Sequence, residues 1–212
     1  MLNVKLKADP SVQPIVYVID DDRQVRESLL DLFMVTNKRA SAYASGAEFL
    51  ESADTGAPGC VVMDLHMPGE TGLDVQSRLI SQGIKMPVIF LTGRADVPSS
   101  VTALKAGATD FITKPFRNQD LLDAVDNAIM LDSERRRADE EHDQLRTLVD
   151  TLTPREMEVM SAVVSGLMNK QIAYQLGICE MTVKLHRMSV MRKMDSRSLA
   201  DLVRKAERLR AK

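Results

Sequence analysis

The chain of 212 residues allows one large domain or two small ones, and its 44% hydrophobic residues exclude an intrinsically disordered chain. No apolar run approaches the roughly 18 to 20 residues of a membrane helix, and the N-terminus lacks a secretion signal, so we expect a cytoplasmic protein without membrane contact. The formal net charge is −2, but residues 1–152 sum to −8 and residues 153–212 to +6, which favours a polyanion as the partner of the C-terminal part.

Short apolar runs, mostly β-branched, recur through the first half of the chain and predict parallel strands buried on both faces. They lie at Ile15–Ile19, at residues 60–63, 88–91 and 111–112, and more weakly at Arg39–Tyr43. Helical patterns separate them, including one with Leu29 and Phe33 and one with Val101 and Leu104. This alternation predicts an α/β domain, a flavodoxin-like doubly wound sheet of five parallel strands.

Polar residues follow these strands at the edge where all the carboxyl ends meet. The residues at this edge are Asp20, Asp21, Asp64, Thr92 and Lys114. Converging carboxylates repel one another, and a hard cation such as Mg²⁺ relieves the repulsion with oxygen ligands. We therefore expect Asp21 and Asp64 to bind Mg²⁺. We also expect Asp64 to act as a nucleophile that forms an acyl phosphate, with Lys114 neutralising the phosphoryl group.

Four blocks around these residues resemble the receiver domain of two-component response regulators, over about residues 13–131. The blocks are VIDDD at residues 18–22, MDLHMPG at 63–69, LTG at 91–93 and TKPF at 113–116. The resemblance implies that Asp64 accepts phosphate from a sensor histidine kinase. It also implies that Mg²⁺ is held by Asp20, Asp21, Asp64 and the backbone carbonyl of His66.

The same resemblance implies a conformational switch. Thr92 would bind phosphoryl oxygens, the peptide bond between Lys114 and Pro115 would be cis, and Phe111 would turn inward when Thr92 moves. Phenylalanine stands where many relatives have tyrosine, which removes a hydroxyl and keeps the ring. The switch would change the surface formed by residues 98–128, through which two phosphorylated receivers would pair as a homodimer.

Other interpretations of these residues stay open. A single aspartate after a strand is usually a turn residue or a helix cap, which is the role we expect for Asp22. A magnesium-dependent phosphohydrolase is one alternative, disfavoured because the sequence shows no second acid-base carboxylate and no insertion that could cap a substrate. A DNA-binding protein whose receiver responds to a partner without phosphate is the other. We expect no enzyme activity beyond self-phosphorylation and self-dephosphorylation.

A helical connector follows the receiver-like part. The pattern that begins at Asn118 continues through the charged residues 132–146 without Gly or Pro, so the last helix is expected to run on into a linker of residues 132–150. Leu145, Leu148 and Val149 form a brief apolar stripe near its end. The stripe could pair with its copy in a dimer or pack on the receiver, but a solvated linker helix is the favoured interpretation.

The C-terminal part has the spacing of a helix-turn-helix. Residues 153–156 combine an N-cap, a proline at the first helical position and a glutamate that completes a capping box. Gly166 ends this helix, a short helix starts at Asn169, and Gly177 opens a tight turn before a helix over residues 180–194. In that last helix core spacing is kept by Val183, Val190 and Met194.

A second face of the same helix is expected to enter the major groove of double-stranded DNA. On this face Lys184 can donate to a guanine edge or a phosphate, while Leu185 and Met188 can touch thymine methyl groups. Phosphate contacts near helix ends are predicted for Lys170, Thr182 and Arg187.

Three segments of the C-terminal part resemble the LuxR-type DNA-binding domain, which implies four helices within residues 151–212. They are LTPRE at residues 152–156, GLMNKQIA at 166–173 and TVKLHR at 182–187. Residues 179–181 depart from the small polar residues common in this turn. In this family the last helix, here with Leu199, Leu202 and Leu209 on one face, mediates dimerisation.

Together the two resemblances identify the chain as similar to NarL/FixJ-family response regulators, with details that lean toward the FixJ-like branch. They imply a phosphorylation-controlled transcription factor that acts with RNA polymerase. A symmetric dimer would place two recognition helices about one helical turn apart, roughly 10 base pairs, on an imperfect palindrome.

Only two cysteines, Cys60 and Cys179, are present. They are too few for a disulfide framework or a thiolate zinc site, which is typical of a reducing compartment. We expect both to be buried thiols.

Overall fold

A computed structural model of the chain describes residues 13–93 and 108–210. The chain divides into two compact units between Arg137 and Ala138. The predicted helix with Val101 and Leu104, and the part of the predicted dimer surface at residues 98–107, lie outside the described residues. Within the described part of the chain, no helix is both long and apolar enough to cross a membrane.

The first unit is built on a sheet of five parallel strands. Their bounds are β1 Ile15–Ile19, β2 Arg39–Tyr43, β3 Gly59–Asp64, β4 Val88–Thr92 and β5 Asp110–Thr113. The strand order is β2-β1-β3-β4-β5, and Ile15 of β1 lies opposite Arg39 of β2 and Gly59 of β3. This order is the flavodoxin-like, doubly wound arrangement, so the predicted fold is confirmed.

The central strands β1, β3 and β4 are buried along almost their whole length. Successive side chains point to opposite faces of a sheet, so one continuous apolar run supplies two cores. One core cluster contains Tyr17 and Met63, and the other contains Val18 and Val62. The absence of polar alternation in these runs is therefore explained by helices that cover both faces.

Three helices follow the first three strands, namely α1 Arg23–Val35, α2 Gly46–Ser52 and α3 Gly72–Ser81. Asp22 caps α1, and its carboxylate accepts a hydrogen bond from Gln24 N at 2.8 Å, which confirms the predicted cap. Before α3, a small antiparallel hairpin pairs His66–Met67 with Glu70–Thr71. The sequence did not predict this hairpin, because strands of two residues leave no periodic signal.

A single long helix, α4 Asn118–Asp150, follows β5, as the unbroken helical pattern predicts. In the first unit its residues Leu121 and Val125 are buried in the core. In the second unit Leu145 is buried, while Leu148 and Val149 pack against that unit's own core. The apolar stripe therefore belongs to the core of the second unit, which corrects the expectation of a solvated linker helix.

Asp132 of α4 is completely buried within the first unit. Its carboxylate accepts hydrogen bonds from Gly59 N at 3.0 Å and from Arg136 Nε at 2.7 Å, and it pairs with Arg135 at 2.5 Å. The Arg136 guanidinium also donates to the carbonyl oxygens of Thr55 and Gly56, both at 2.8 Å. This network, which we call the Asp132 anchor, ties α4 to the loop that precedes β3.

In the described part of the second unit, the end of α4 is followed by four helices, α5 Pro154–Val164, α6 Asn169–Leu176, α7 Glu180–Lys193 and α8 Leu199–Arg210. The predicted capping box is present, because Thr153 Oγ1 accepts from Glu156 N at 3.2 Å and Glu156 accepts from Thr153 N at 2.8 Å. Gly177 has a φ of 63°, the left-handed conformation that makes the tight turn between α6 and α7. The predicted helix-turn-helix is confirmed.

The core of the second unit draws on all four of these helices, and among its members are Val159, Ile172, Val183, Val190 and Leu202. On α8, Leu202 is buried and Leu209 packs against the core, whereas Leu199 keeps 46% of its surface exposed. Most of the apolar face of α8 is therefore occupied within the unit. Dimerisation through this helix stays a prediction.

The two cysteines differ in environment. Cys60 is buried, and burial raises the pKa of its thiol to about 12. Cys179 is exposed, which corrects the expectation that both thiols are buried. It occupies the N-cap position of α7, where its Sγ lies 3.1 Å from Thr182 Oγ1, and this hydrogen bond lowers the pKa of the thiol.

Candidate functional site

Three carboxylates meet at the carboxyl edge of the sheet in the first unit. Asp20 and Asp21 follow β1, Asp64 ends β3, and one oxygen of each lies within 4.8 Å of the others. Asp20 is buried, Asp64 is half-buried and Asp21 is exposed, so the cluster opens to solvent on one side. A set of three carboxylates with access to water fits Mg²⁺, which prefers oxygen ligands and retains several waters.

The amine of Lys114 lies beside these carboxylates. Its Nζ is 3.1 Å from Asp20 Oδ2 and 3.3 Å from Asp64 Oδ2. The backbone N of Lys114 donates to Thr92 O at 2.6 Å, and the peptide bond to Pro115 is cis, as the resemblance implies. The structure therefore brings Lys114 and Asp64 together from positions 50 residues apart in the sequence.

The charges of this cluster perturb one another. Burial raises the pKa of Asp20, against the hydrogen bonds from Asp22 N and Lys114 that favour its carboxylate form. Burial also disfavours the charged form of Lys114, but the hydrogen bond and charge of Asp20, together with Asp64, outweigh it and raise the pKa of the amine. One ammonium thus faces three carboxyl groups, so the cluster keeps an excess of negative charge that a bound cation can neutralise.

Asp64 is placed where a reagent from solvent can reach it. Its side chain is 16% exposed, and its Oδ1 accepts a long hydrogen bond of 3.4 Å from His66 N. A Cβ at Gly72 would lie 2.6 Å from Asp64 O and 2.7 Å from the Phe90 ring, so only glycine lets α3 begin this close to the site. The structure therefore leaves the Asp64 carboxylate accessible beside an ammonium, an arrangement in which a carboxylate can act as a nucleophile.

The two predicted switch residues occupy neighbouring strands. Thr92 is completely buried, and its hydroxyl donates to Gly93 O over a long 3.4 Å. Phe111 of β5 lies opposite Phe90 of β4, is half-buried, and packs against the first core cluster. Its ring is therefore already partly inside the protein, and its movement on phosphorylation stays a prediction.

Arg26 also contacts this site, although sequence reasoning assigned it no role. Its Nη1 lies 2.7 Å from Asp20 O and 3.0 Å from Asp21 O. Arg26 stands one turn beyond the N-cap Asp22, and its backbone N donates to Asp22 O at 3.1 Å. The sequence indicates this contact only through the position of Arg26, because a long side chain in the first turn of a helix can reach back to the end of the preceding strand.

In the second unit, α7 presents one buried and one exposed face. Val183 and Val190 are buried in the core, whereas Leu185 and Met188 keep 58% and 68% of their surface exposed and Lys184 is also exposed. Met181, which the sequence reasoning did not assign, is 64% exposed one turn before Leu185. An exposed stripe of three apolar side chains and a lysine can contact base edges and thymine methyl groups in a major groove.

The three predicted phosphate contacts have different environments. Lys170 is exposed near the start of α6. Thr182 is half-buried and bonded to Cys179, and Arg187 is half-buried with its Nη1 donating to Asn169 Oδ1 at 2.9 Å. The Arg187 guanidinium therefore links α7 to α6, and its remaining N–H groups are those that could reach a phosphate.

Glu156 has a larger role than the capping box that the sequence predicts. Besides Thr153 N, its carboxylate accepts hydrogen bonds from Lys193 Nζ at 2.6 Å and from the Ser189 hydroxyl. The hydrogen bond from Lys193, then those from Ser189 and Thr153, lower the pKa of Glu156 to about 2. One carboxylate thus fixes α7 against the start of α5.

Two family descriptions match this chain. Residues 16–126 match the response regulator receiver domain, and residues 150–206 match the bacterial regulatory proteins of the luxR family. The two matched segments fall on the sheet-based unit and on the helix-turn-helix unit respectively.

Individual proteins are similar over nearly the whole chain. Nodulation protein W of Bradyrhizobium diazoefficiens is 46% identical over 95% of this chain and 88% of its own length. Transcriptional regulatory protein FixJ of Azorhizobium caulinodans is 41% identical over 90% of both chains. Among solved structures, the response regulator StyR, 44% identical, superimposes with a TM-score of 0.84 over 92% of this chain and 98% of its own.

Proposed function

Because this chain belongs to the NarL/FixJ family of response regulators, in which a receiver domain precedes a LuxR-type DNA-binding domain, we propose that a phosphoryl group on Asp64 controls its binding to DNA. The phosphate comes from a sensor histidine kinase, and the phosphorylated protein acts as a homodimer. The observation that carries this proposal is the Lys114 amine, 3.3 Å from the Asp64 carboxylate and beside the acidic cluster.

The phosphotransfer follows from this arrangement of charges. An oxygen of Asp64 attacks the phosphorus of a phosphohistidine whose other ring nitrogen is protonated, the phosphorus–nitrogen bond breaks with its electron pair on that nitrogen, and the histidine leaves as a neutral imidazole. Lys114 shifts from its two carboxylate partners toward the phosphoryl oxygens and neutralises part of their charge. Asp20, Asp21, Asp64 and the carbonyl of His66 would hold Mg²⁺, which when bound adds positive charge at the transferring group.

The response to the phosphoryl group runs through Thr92 and Phe111. The Thr92 hydroxyl, which has only a long hydrogen bond to Gly93, turns toward a phosphoryl oxygen and forms a shorter one. Phe111 then moves further into the space beside β4 and changes the surface of residues 98–128, through which two receivers pair. This is a shift between two pre-existing conformations, driven by the better hydrogen bond in one of them.

DNA recognition follows from the exposed face of α7. Lys184 donates to a guanine edge or a phosphate, and Leu185 and Met188 contact thymine methyl groups. Lys170, Thr182 and Arg187 bind the phosphate backbone, which fixes the position of the helix without reading sequence. The protein acts in the cytoplasm, where the bound dimer meets RNA polymerase.

The test of the phosphorylation site is uptake of phosphate from acetyl phosphate with Mg²⁺, measured by mass spectrometry of the intact protein. We expect the wild-type chain to gain one phosphoryl group and Asp64→Asn to gain none. Asp31→Asn, an exposed change on α1, is the matched control and should be phosphorylated like the wild type. Uptake by Asp64→Asn at the wild-type level would contradict the assignment of Asp64.

A further inference from the structure

Arg26, beside the acidic cluster, contacts two backbone carbonyl groups. Its Nη1 donates to the backbone carbonyl oxygens of Asp20 and Asp21, at 2.7 and 3.0 Å. Each terminal guanidinium nitrogen carries two N–H groups, which is enough for one hydrogen bond to each carbonyl. The side chain therefore holds the peptide groups of two acidic residues that together enter the cluster with Asp64.

The other contacts of the acidic cluster are made to its carboxylate groups. The carboxylate of Asp20 is held by Asp22 N at 2.9 Å and by Lys114, whereas Asp21 is the exposed member. Three neighbouring carboxylates repel one another before a cation arrives, and the repulsion is relieved if the loop opens. A guanidinium bonded to both carbonyls opposes that opening, because it fixes the backbone from which both side chains project.

We propose that Arg26 is a positioning residue for the metal site, which holds the loop of Asp20 and Asp21 in the geometry that binds Mg²⁺. This proposal rests on the proposed function of the receiver. The charge of Arg26 acts in the opposite direction, because a guanidinium repels a nearby Mg²⁺ ion and weakens its binding. Positioning and charge therefore predict opposite results when Arg26 is removed, which makes the two roles separable by experiment.

The first measurement is Mg²⁺ affinity, by isothermal titration calorimetry of the full chain with Mg²⁺ alone. Positioning predicts that Arg26→Ala binds Mg²⁺ about tenfold more weakly, and that Arg26→Lys, which keeps the charge on a shorter side chain, binds about threefold more weakly. A purely electrostatic role predicts tighter binding for Arg26→Ala and unchanged binding for Arg26→Lys. Either of these electrostatic results overturns the proposal.

Arg23→Ala is the matched control. Arg23 lies on the same turn of α1, pairs with Glu27 at 2.7 Å, and has 81% of its side chain exposed. Its removal takes away the same charge without touching the loop, so Mg²⁺ affinity should equal that of the wild type. An equal loss of affinity in Arg23→Ala would show a general effect of a weakened α1 helix and would overturn the proposal.

The second measurement is the rate of phosphorylation by acetyl phosphate over a range of Mg²⁺ concentrations. Arg26→Ala should require about tenfold more Mg²⁺ for its half-maximal rate and reach nearly the wild-type rate at saturation. If the variant reaches its maximum at the wild-type Mg²⁺ concentration, Arg26 does not position the loop. Absence of Mg²⁺ binding or phosphorylation in the wild type would instead reject the proposed function itself. Arg26→Lys serves for both measurements if Arg26→Ala does not fold.

Discussion

Glu156 shows how much one carboxylate can contribute to the DNA-binding domain. It lies in the first turn of α5, yet it accepts hydrogen bonds from Ser189 and Lys193 near the end of α7. Lys193 also donates to Thr151 O at 2.9 Å, so the same amine links α7 to the residues that precede α5. The position of the exposed face of α7 therefore depends on a group outside that helix.

The lowered pKa of Glu156 predicts how the stability of this domain changes with pH. A carboxyl group whose pKa is about 2 when folded, against an ordinary 4.5, stabilises the folded state above pH 4.5. This stabilisation is lost as the pH falls from 4.5 toward 2. Glu156→Gln should therefore be less stable than the wild type at neutral pH, and the difference should shrink through this range.

Urea unfolding of the full chain at a series of pH values, followed by far-UV circular dichroism, measures this difference. The matched control is Glu158→Gln, which removes the same charge from α5 at a site that pairs with Arg155 and is 51% exposed. This control should stay close to the wild type at neutral pH, as expected for an exposed ion pair. A constant difference between Glu156→Gln and the wild type from pH 7 to pH 2 would refute the explanation.

At the scale of residues, the sequence predicted the groups whose position follows from strand direction. Asp20, Asp64 and Lys114 come together because the carboxyl ends of parallel strands share one edge. Arg26 was missed, because an arginine in the first turn of an amphipathic helix is usually solvated. Only the path of the β1–α1 turn shows that its guanidinium reaches two carbonyl groups.

At the scale of elements, α4 departs most from its sequence pattern. The segment from residue 132 is rich in charge, which is typical of a solvated helix, yet Asp132 is completely buried. The burial is possible because Arg135, Arg136 and Gly59 N satisfy the carboxylate. The two arginines stand three and four residues after Asp132 on the same helix, so their pairing with it is visible in the sequence. The burial is not, because it depends on where α4 meets Gly59 and the loop before it.

Removal of the Asp132 carboxylate should destabilise the receiver domain. Asp132→Ala leaves the buried Gly59 N–H without its acceptor and leaves two arginines without their anion. We expect a loss of about 2 to 4 kcal/mol in the free energy of unfolding. Near-UV circular dichroism of tyrosine in a urea titration measures it, because Tyr17 and Tyr43 of this domain pack in contact with Phe49.

Asp126→Ala on the same helix is the control for this prediction. Asp126 pairs with Lys38, but its side chain is 61% exposed. An exposed ion pair contributes less than about 1 kcal/mol, so Asp126→Ala should unfold close to the wild-type urea concentration. Similar losses in the free energy of unfolding for the two variants would mean that the Asp132 anchor stabilises the domain no more than an exposed ion pair does.

At the scale of the whole molecule, the two domains have opposite charge. The residues before position 153 sum to −8 and those from 153 onward to +6, so the DNA-binding domain meets the phosphate backbone with a positive surface. Contacts to phosphates alone are sensitive to salt. Under the proposed function, pairing of two receivers would join two of these domains, which would raise the affinity for a site with two half-sites.

The spacing of the half-sites tests this coupling. After selection of an operator from random duplexes, insertion of about five base pairs, roughly half a helical turn, between its half-sites moves them to opposite sides of the duplex. On the lengthened operator, the protein treated with beryllofluoride should bind no more tightly than the untreated protein. Fluorescence anisotropy measures both affinities. Asp64→Asn should show the low affinity on both duplexes. An unchanged gain on the lengthened operator would exclude a dimer with fixed spacing.

The Asp132 anchor decides where an excised receiver should end. A fragment cut after residue 131, where the strand-and-helix pattern finishes, lacks the carboxylate that accepts from Gly59 N, and it also lacks the arginine that binds Thr55 and Gly56. A fragment extended through Arg137 retains the whole network. The six residues 132–137 therefore determine whether an excised receiver keeps the hydrogen bonds that hold α4 to Gly59 and to the loop before it.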